Sequence, residues 1–133
     1  MSKIIDAATA IVVRETSKGL EVLMLQRNPE LKFMGGFWVF PGGAFEPQDY
    51  VACSEQTAKN AAVRETWEEA GIKLNAEALY PFDYWLTPDI SPKRFSTWFY
   101  LALVDKAEVT IDGSEIVDYQ WLSPRQAINQ HRN

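Results

Sequence analysis

The stretch Arg64-Glu65-Thr66-Trp67-Glu68-Glu69-Ala70-Gly71 constrains this chain more than any other. Residues 57–70 carry small side chains at Ala58, Ala61, Ala62 and Thr66, the spacing of one helical face. Gly71 suits the left-handed residue that closes such a helix. On that helix Glu65 lies three residues before Glu68 and four before Glu69, so all three project to one side. Like charges at this spacing cost roughly 0.2–0.5 kcal/mol per pair. Glu68 and Glu69 also stand in the last turn, where the helix dipole favours cations and each carboxylate costs roughly 0.3–1 kcal/mol. Arg64 offsets part of this by pairing with Glu68. A solvated acidic face is the plain reading of such a run. An idle surface, however, would set its acids in the first turn. A divalent cation reverses the penalty, because carboxylates converging at a negative helix end suit a hard metal ion.

Composition narrows the chemistry further. The 133 residues include one Cys and one His. That excludes an internal disulfide and a zinc site built from His and Cys. His131, two residues from the end, is badly placed for a Ser-His or Cys-His nucleophile. Catalysis must then run on carboxylates, Lys, Arg, Tyr or a carboxylate-bound metal. The formal net charge of −5 argues against a nucleic acid polymer as partner. The longest apolar runs, residues 7–13 and 98–104, are far shorter than the roughly 20 residues of a spanning helix. With no signal-peptide pattern either, the expected location is cytoplasmic, with Cys53 reduced and no membrane partner. The length predicts a single domain over residues 1–133.

Hydrophobic patterning predicts strands at residues 7–14, 20–27, 37–40, 82–87, 95–104 and 116–122. Pro41-Gly42-Gly43 is expected to stop the third strand, and residues 44–56 read as loop. Ser54 or Thr57 is the expected cap of the acidic helix. Ser123-Pro124 opens a second helix, with Ser at the N-cap and Pro at the first position. Strands, a helix, more strands and a last helix fit an α/β domain around a mixed sheet. If the third strand ends beside the acidic helix, a backbone carbonyl near Gly42 becomes one more oxygen ligand.

These residues resemble the Nudix hydrolases. The box of that family reads G-x5-E-x7-R-E-U-x-E-E-x-G-U, with U a bulky apolar residue. Residues 64–72 match its second half, except that Thr66 stands where an apolar residue is usual. Gly43 opens the first half, and Asp49 stands six residues on in place of Glu. Fourteen residues then separate Asp49 from Arg64, so the box, about residues 43–72, carries a loop insertion of about seven. Either Asp49 or Glu46 fills the loop-acid role. Leu25-Gln26-Arg27-Asn28, Phe33-Met34-Gly35-Gly36 and Trp85-Leu86-Thr87-Pro88 resemble the branch that includes coenzyme A diphosphatases.

The resemblance implies an α/β/α sandwich with a central mixed sheet. It implies Mg²⁺- or Mn²⁺-dependent hydrolysis of a nucleoside diphosphate linked to another moiety, with coenzyme A or a related nucleotide as substrate. It assigns the metal to Glu65, Glu68, Glu69 and the Gly42 carbonyl, and has Arg64 orient a box Glu. Glu115 is the candidate for a further acid from a later loop, as ligand or general base, with Asp112, Asp118 and Glu108 as rivals. Arg27, Lys32 and Arg94 are candidate phosphate contacts. Phe33, Trp38, Trp85 and Phe95 are candidates for stacking on a base, against a core-packing role for each. Residues 87–94 form a candidate specificity edge. A homodimer is an admitted assembly. The competing function is a catalytically inactive Nudix-fold module that binds a nucleotide or metabolite. If Glu65, Glu68, Glu69 and Glu115 serve one metal site, the other 14 acids nearly balance the 13 bases. The acidic excess is then local, and a polyphosphate substrate is no longer excluded.

Overall fold

The computed structural model describes residues 4–86, 94–105 and 108–132, with the side chains of 130–132 left aside. One mixed sheet organises the chain. β1 (Ile4–Thr16) and β2 (Gly19–Arg27) form a hairpin, paired only from Val13–Val22 to the turn. Beyond Val13 the two strands part. The gap is filled by β3 (Trp38–Val39), paired with β2, and β4 (Gly42–Ala44), paired with β1. β6 (Arg94–Val104) runs parallel to β1 along its other edge, and β5 (Tyr80–Leu86) is antiparallel to β6. β7 (Ile116–Leu122) pairs with the far edge of β2.

Pro41-Gly42-Gly43 therefore does not end the strand region. β3 stops at Val39, and the chain re-enters the sheet at Gly42 as β4. The reason is steric: a Cβ on Gly42 would lie 2.5 Å from the Ala8 carbonyl oxygen and 2.8 Å from Thr9 Cα. Only glycine lets this backbone press against β1. The expected loop over residues 44–56 also gains a 3₁₀ turn at Pro47–Asp49.

α1 (Ser54–Ala70) and α2 (Pro124–Arg132) cover opposite faces of the sheet. α1 lays Ala58, Ala61, Ala62 and Ala70 on Ala8, Ala10, Val12, Leu23 and Leu25. These small side chains bring the helix close to the sheet. Thr66 shares the buried face, and its hydroxyl donates to the Ala62 carbonyl at 2.7 Å. That bond lets a polar residue stand where an apolar one is usual. Neither Ser54 nor Thr57 caps α1. Cys53 holds the N-cap position without a side-chain bond, while the Thr57 hydroxyl ties down the backbone of Val51 and Cys53. Gly71 closes the helix in the left-handed conformation, φ 67°. On the other face Ala127 of α2 packs with Val13, Val22 and Met24, and Trp38 joins this cluster, so Trp38 serves the core. Among the described residues, no helix is long and apolar enough to cross a membrane.

Candidate active site

The fork in the sheet delivers β4 and the following 3₁₀ turn to the last turns of α1. Arg64, whose side chain is 13% exposed, is the hub. Its Nε bonds Asp49 Oδ1 at 2.9 Å, and its Nη2 bonds Asp49 Oδ2 at 2.9 Å and the Ala44 carbonyl at 3.1 Å. Its Nη1 faces three other acids: Glu65 at 2.6 Å, Glu46 at 3.1 Å and Glu68 at 3.2 Å. The two-point bond to Asp49 fixes the guanidinium plane and so aims Nη1.

The two candidates for the loop acid thus take different parts. Asp49, 2% exposed, is the anchor of Arg64, and it also accepts the Glu46 N–H at 2.9 Å. Burial alone would raise its pKa. The hydrogen bonds from Arg64 and the Glu46 amide outweigh burial and hold it below the usual carboxylate range. Glu46 instead presents its carboxylate beside Glu65 and Glu68, with one oxygen of each lying within 4.8 Å of the others. These are oxygen donors only, the set that suits Mg²⁺ or Mn²⁺. Glu46, one of the two loop-acid candidates, is not among the metal ligands assigned from the box, and the structure groups it with two of them. Glu46 and Asp49 flank one tight turn, in which Asp49 accepts the Glu46 N–H and so leaves the Glu46 carboxylate for the cluster.

Glu65 is tucked against the glycine turn. A Cβ on Gly43 would lie 2.7 Å from its carboxyl carbon, so Gly43 is the space Glu65 occupies. Burial pushes Glu65 upward against the pull of Arg64, and the charges of Glu68 and Glu46 add to the rise. Glu69 is 3% exposed. Its Oε1 accepts the Gly42 N–H at 2.9 Å, so the structure joins this acid to the Gly42 amide. Burial is the main cause that pushes Glu69 up to about 8, with the charges of Glu65 and Glu115 adding to it. The Arg27 charge and the Gly42 amide oppose it. A neutral carboxyl among acids is what a cation would convert into a ligand.

Glu115 lies just before β7, exposed, and near enough for its charge to act on Glu69. Its rivals differ. Asp112 spends Oδ1 on the amides of Ser114 and Ile116 at 2.8 and 2.9 Å. Asp118 accepts the neighbouring Tyr119 amide, and Glu108 is exposed. Arg27 donates from Nε to the Phe33 carbonyl at 3.1 Å, and the Phe33 ring meets Phe95, beside Arg94, at 5.5 Å. Arg27, Phe33 and Phe95 thus stand together, and Arg94 precedes Phe95 at the start of β6. Lys32 is exposed next to Phe33. Trp85 stands on the edge strand, 65% exposed, its indole N–H bonded to Asp83 at 3.0 Å. Among the described residues no bond links it to Glu46, Glu65, Glu68 or Glu69. Residues 87–93 of the expected specificity edge lie outside the described residues.

The whole chain compares well with one family. A Caenorhabditis elegans protein named nudix hydrolase 7 is 29% identical over 94% of this chain and 53% of its own length. An acyl-coenzyme A diphosphatase of Xenopus laevis is 21% identical over 96% of this chain and 64% of its own. The chain thus spans about half the length of the nematode relative and under two thirds of the frog one. The crystal structure of a NUDIX hydrolase from Alicyclobacillus acidocaldarius superposes with a TM-score of 0.87 at 24% identity, over 99% of this chain and 84% of that one. That likeness shows the fold, a mixed sheet between helices. The profile of the NUDIX domain matches residues 4–133, from the first described strand to the end, and on that match the chain belongs to the NUDIX domain family.

Proposed function

We propose that the chain hydrolyses the diphosphate linkage of a nucleoside diphosphate joined to another moiety, with Mg²⁺ or Mn²⁺ as cofactor. The carrying observation is the gathering of Glu46, Glu65 and Glu68 around one Arg64 nitrogen, with Glu69 buried alongside. Members of the family generally use divalent metals such as Mg²⁺, and the oxygen donors fit one. Glu65, Glu68, Glu69 and the Gly42 carbonyl would hold the ion, with Glu46 and Glu115 completing the set. Such an ion supplies positive charge to phosphate oxygens and acidifies water.

The remaining work falls to the chain's own residues. Arg64 holds Glu65 and Glu68 in place, and Asp49 holds Arg64. Glu65, Glu68 and Glu115 are the carboxylates available to take the proton of the attacking water. Arg27 and Arg94 would bind phosphate oxygens, and Phe33 and Trp85 would stack on the base. Coenzyme A or a related nucleotide is the proposed substrate class, supported by the residues shared with that branch and by the frog relative. The proposed setting is cytoplasmic, where Cys53 would stay reduced.

The test is a hydrolysis screen of coenzyme A, ADP-ribose, dinucleoside polyphosphates and nucleoside triphosphates, with Mg²⁺ and with Mn²⁺. Cleavage of at least one substrate at its diphosphate is expected, together with loss of turnover in Glu69→Gln. Binding without cleavage would favour a module that only senses the ligand. Unchanged turnover in Glu69→Gln would put the site elsewhere.

A further inference from the structure

We infer that Asn28 is a positioning residue: it fixes the backbone of the loop that carries Glu115, and so sets where that carboxylate stands. The inference rests on the proposed role of Glu115. Asn28 follows the last residue of β2, and its backbone and side-chain polar groups are all engaged, its carbonyl accepting the Leu31 N–H at 3.0 Å. Its backbone N–H donates to the Glu115 carbonyl at 2.7 Å. Its Nδ2 donates to the Ser114 carbonyl at 2.8 Å, and its Oδ1 accepts the Glu30 amide at 3.0 Å. One residue therefore grips two consecutive carbonyls, 86 positions away in sequence for the side-chain bond. An amide side chain suits the task, since it donates to Ser114 while accepting from its own turn.

The rest of that loop is braced from within. Asp112 accepts the Ser114 and Ile116 amides, and Gly113, at φ 80°, donates to the Ile116 carbonyl at 3.0 Å. On β7 the register slips: Gln26 faces Asp118 and Arg27 faces Ile116, leaving Val117 as an extra residue. Such bulges re-aim neighbouring side chains. Backbone bonds thus surround Glu115, while its side chain is exposed. A turn-forming role for Asn28 requires only the bonds from Glu30 and Leu31. The side-chain bond to Ser114 goes beyond it and adds to the backbone bond to Glu115.

The test is a double-mutant cycle read by calorimetric Mn²⁺ binding to the full chain, with melting temperatures measured alongside. The four proteins are wild type, Asn28→Ser, Glu115→Gln and the double variant. Asn28→Ser keeps an acceptor for Glu30 and removes the reach to Ser114 without adding charge. It is expected to weaken Mn²⁺ about tenfold, the usual effect of removing a residue that supports a ligand. Glu115→Gln is expected to weaken it by a similar factor, and the double variant to be no weaker than Glu115→Gln alone. Losses that multiply in the double variant would overturn the inference, since Asn28 would then act without Glu115. Unchanged binding in Asn28→Ser beside a loss in Glu115→Gln would overturn it and leave the role of Glu115 standing. Unchanged binding in Glu115→Gln would overturn that role and the inference with it. Should Asn28→Ser not fold, Asn28→Ala goes through the same cycle.

Discussion

α1 and α2 lie on opposite faces of one sheet, yet their termini follow different rules. α2 is closed by its own sequence. The Gln126 N–H donates to the Ser123 hydroxyl at 3.2 Å, the Ser123 N–H donates to the Gln126 side chain at 3.0 Å, and Pro124 takes the first helical position. α1 has no side-chain cap at its start, no basic residue in its last turn, and Glu68 and Glu69 there instead. Its acidic end is held from outside, by β4 and the 3₁₀ turn, through Gly42 to Glu69 and Asp49 to Arg64. A helix that keeps local rules needs nothing else. A helix that breaks them, with neighbours built to hold the breach, marks a site.

The largest test of this contrast is Arg64→Met. It strands Asp49 as a buried carboxylate without its cation, a loss of about 3–5 kcal/mol in urea unfolding. A loss below about 1 kcal/mol would mean that Arg64 is an ordinary surface ion pair. Next come the paired glycines. Gly42→Ala drives a Cβ into the β1 backbone and is expected to cost about 1–3 kcal/mol by the same measurement. For Gly43→Ala the three nearest atoms to the new Cβ all belong to the carboxyl end of the Glu65 side chain. It should leave the melting temperature nearly unchanged and weaken calorimetric Mn²⁺ binding about tenfold by displacing that carboxylate. The smallest effect belongs to α2. Ser123→Ala should cost about 1 kcal/mol of stability and leave Mn²⁺ affinity unchanged. A change in affinity there would erase the distinction between the helices.

What could be read from the sequence divides along the same line. β7 was expected at residues 116–122 and lies at Ile116–Leu122. The Ala58, Ala61, Ala62 and Thr66 face, the Gly71 closure and the Ser123 cap were also legible, because each depends on neighbours within a few residues. β4 was not. Three residues, Gly42–Ala44, form a strand only because β1 and β2 part to receive them, and that parting leaves no local pattern. The division of labour between Asp49 and Glu46 was equally hidden. Both acids flank one turn, and only the direction from which Arg64 arrives separates anchor from cluster. Thr57 had the chemistry of a cap, but its hydroxyl went to the preceding loop instead.

The central claim is that the end of α1 is arranged to receive a divalent cation, and its most direct test is the melting temperature against pH, metal-free and with Mg²⁺. Burial raises the Glu69 carboxyl from 4.5 to about 8, and Glu65 moves in the same direction. A raised acid favours the protonated folded state, so this contribution is complete below pH 4.5 and falls away as pH rises toward about 8. Asp49 has the opposite sign: its contribution is present above 3.8 and is lost only as pH falls below that. The metal-free chain should therefore lose stability steadily from about pH 5 to about pH 8. Mg²⁺ replaces the proton, so the gain in melting temperature on adding it should grow across the same range. A gain that is absent, or equal at both ends of the range, would contradict the claim.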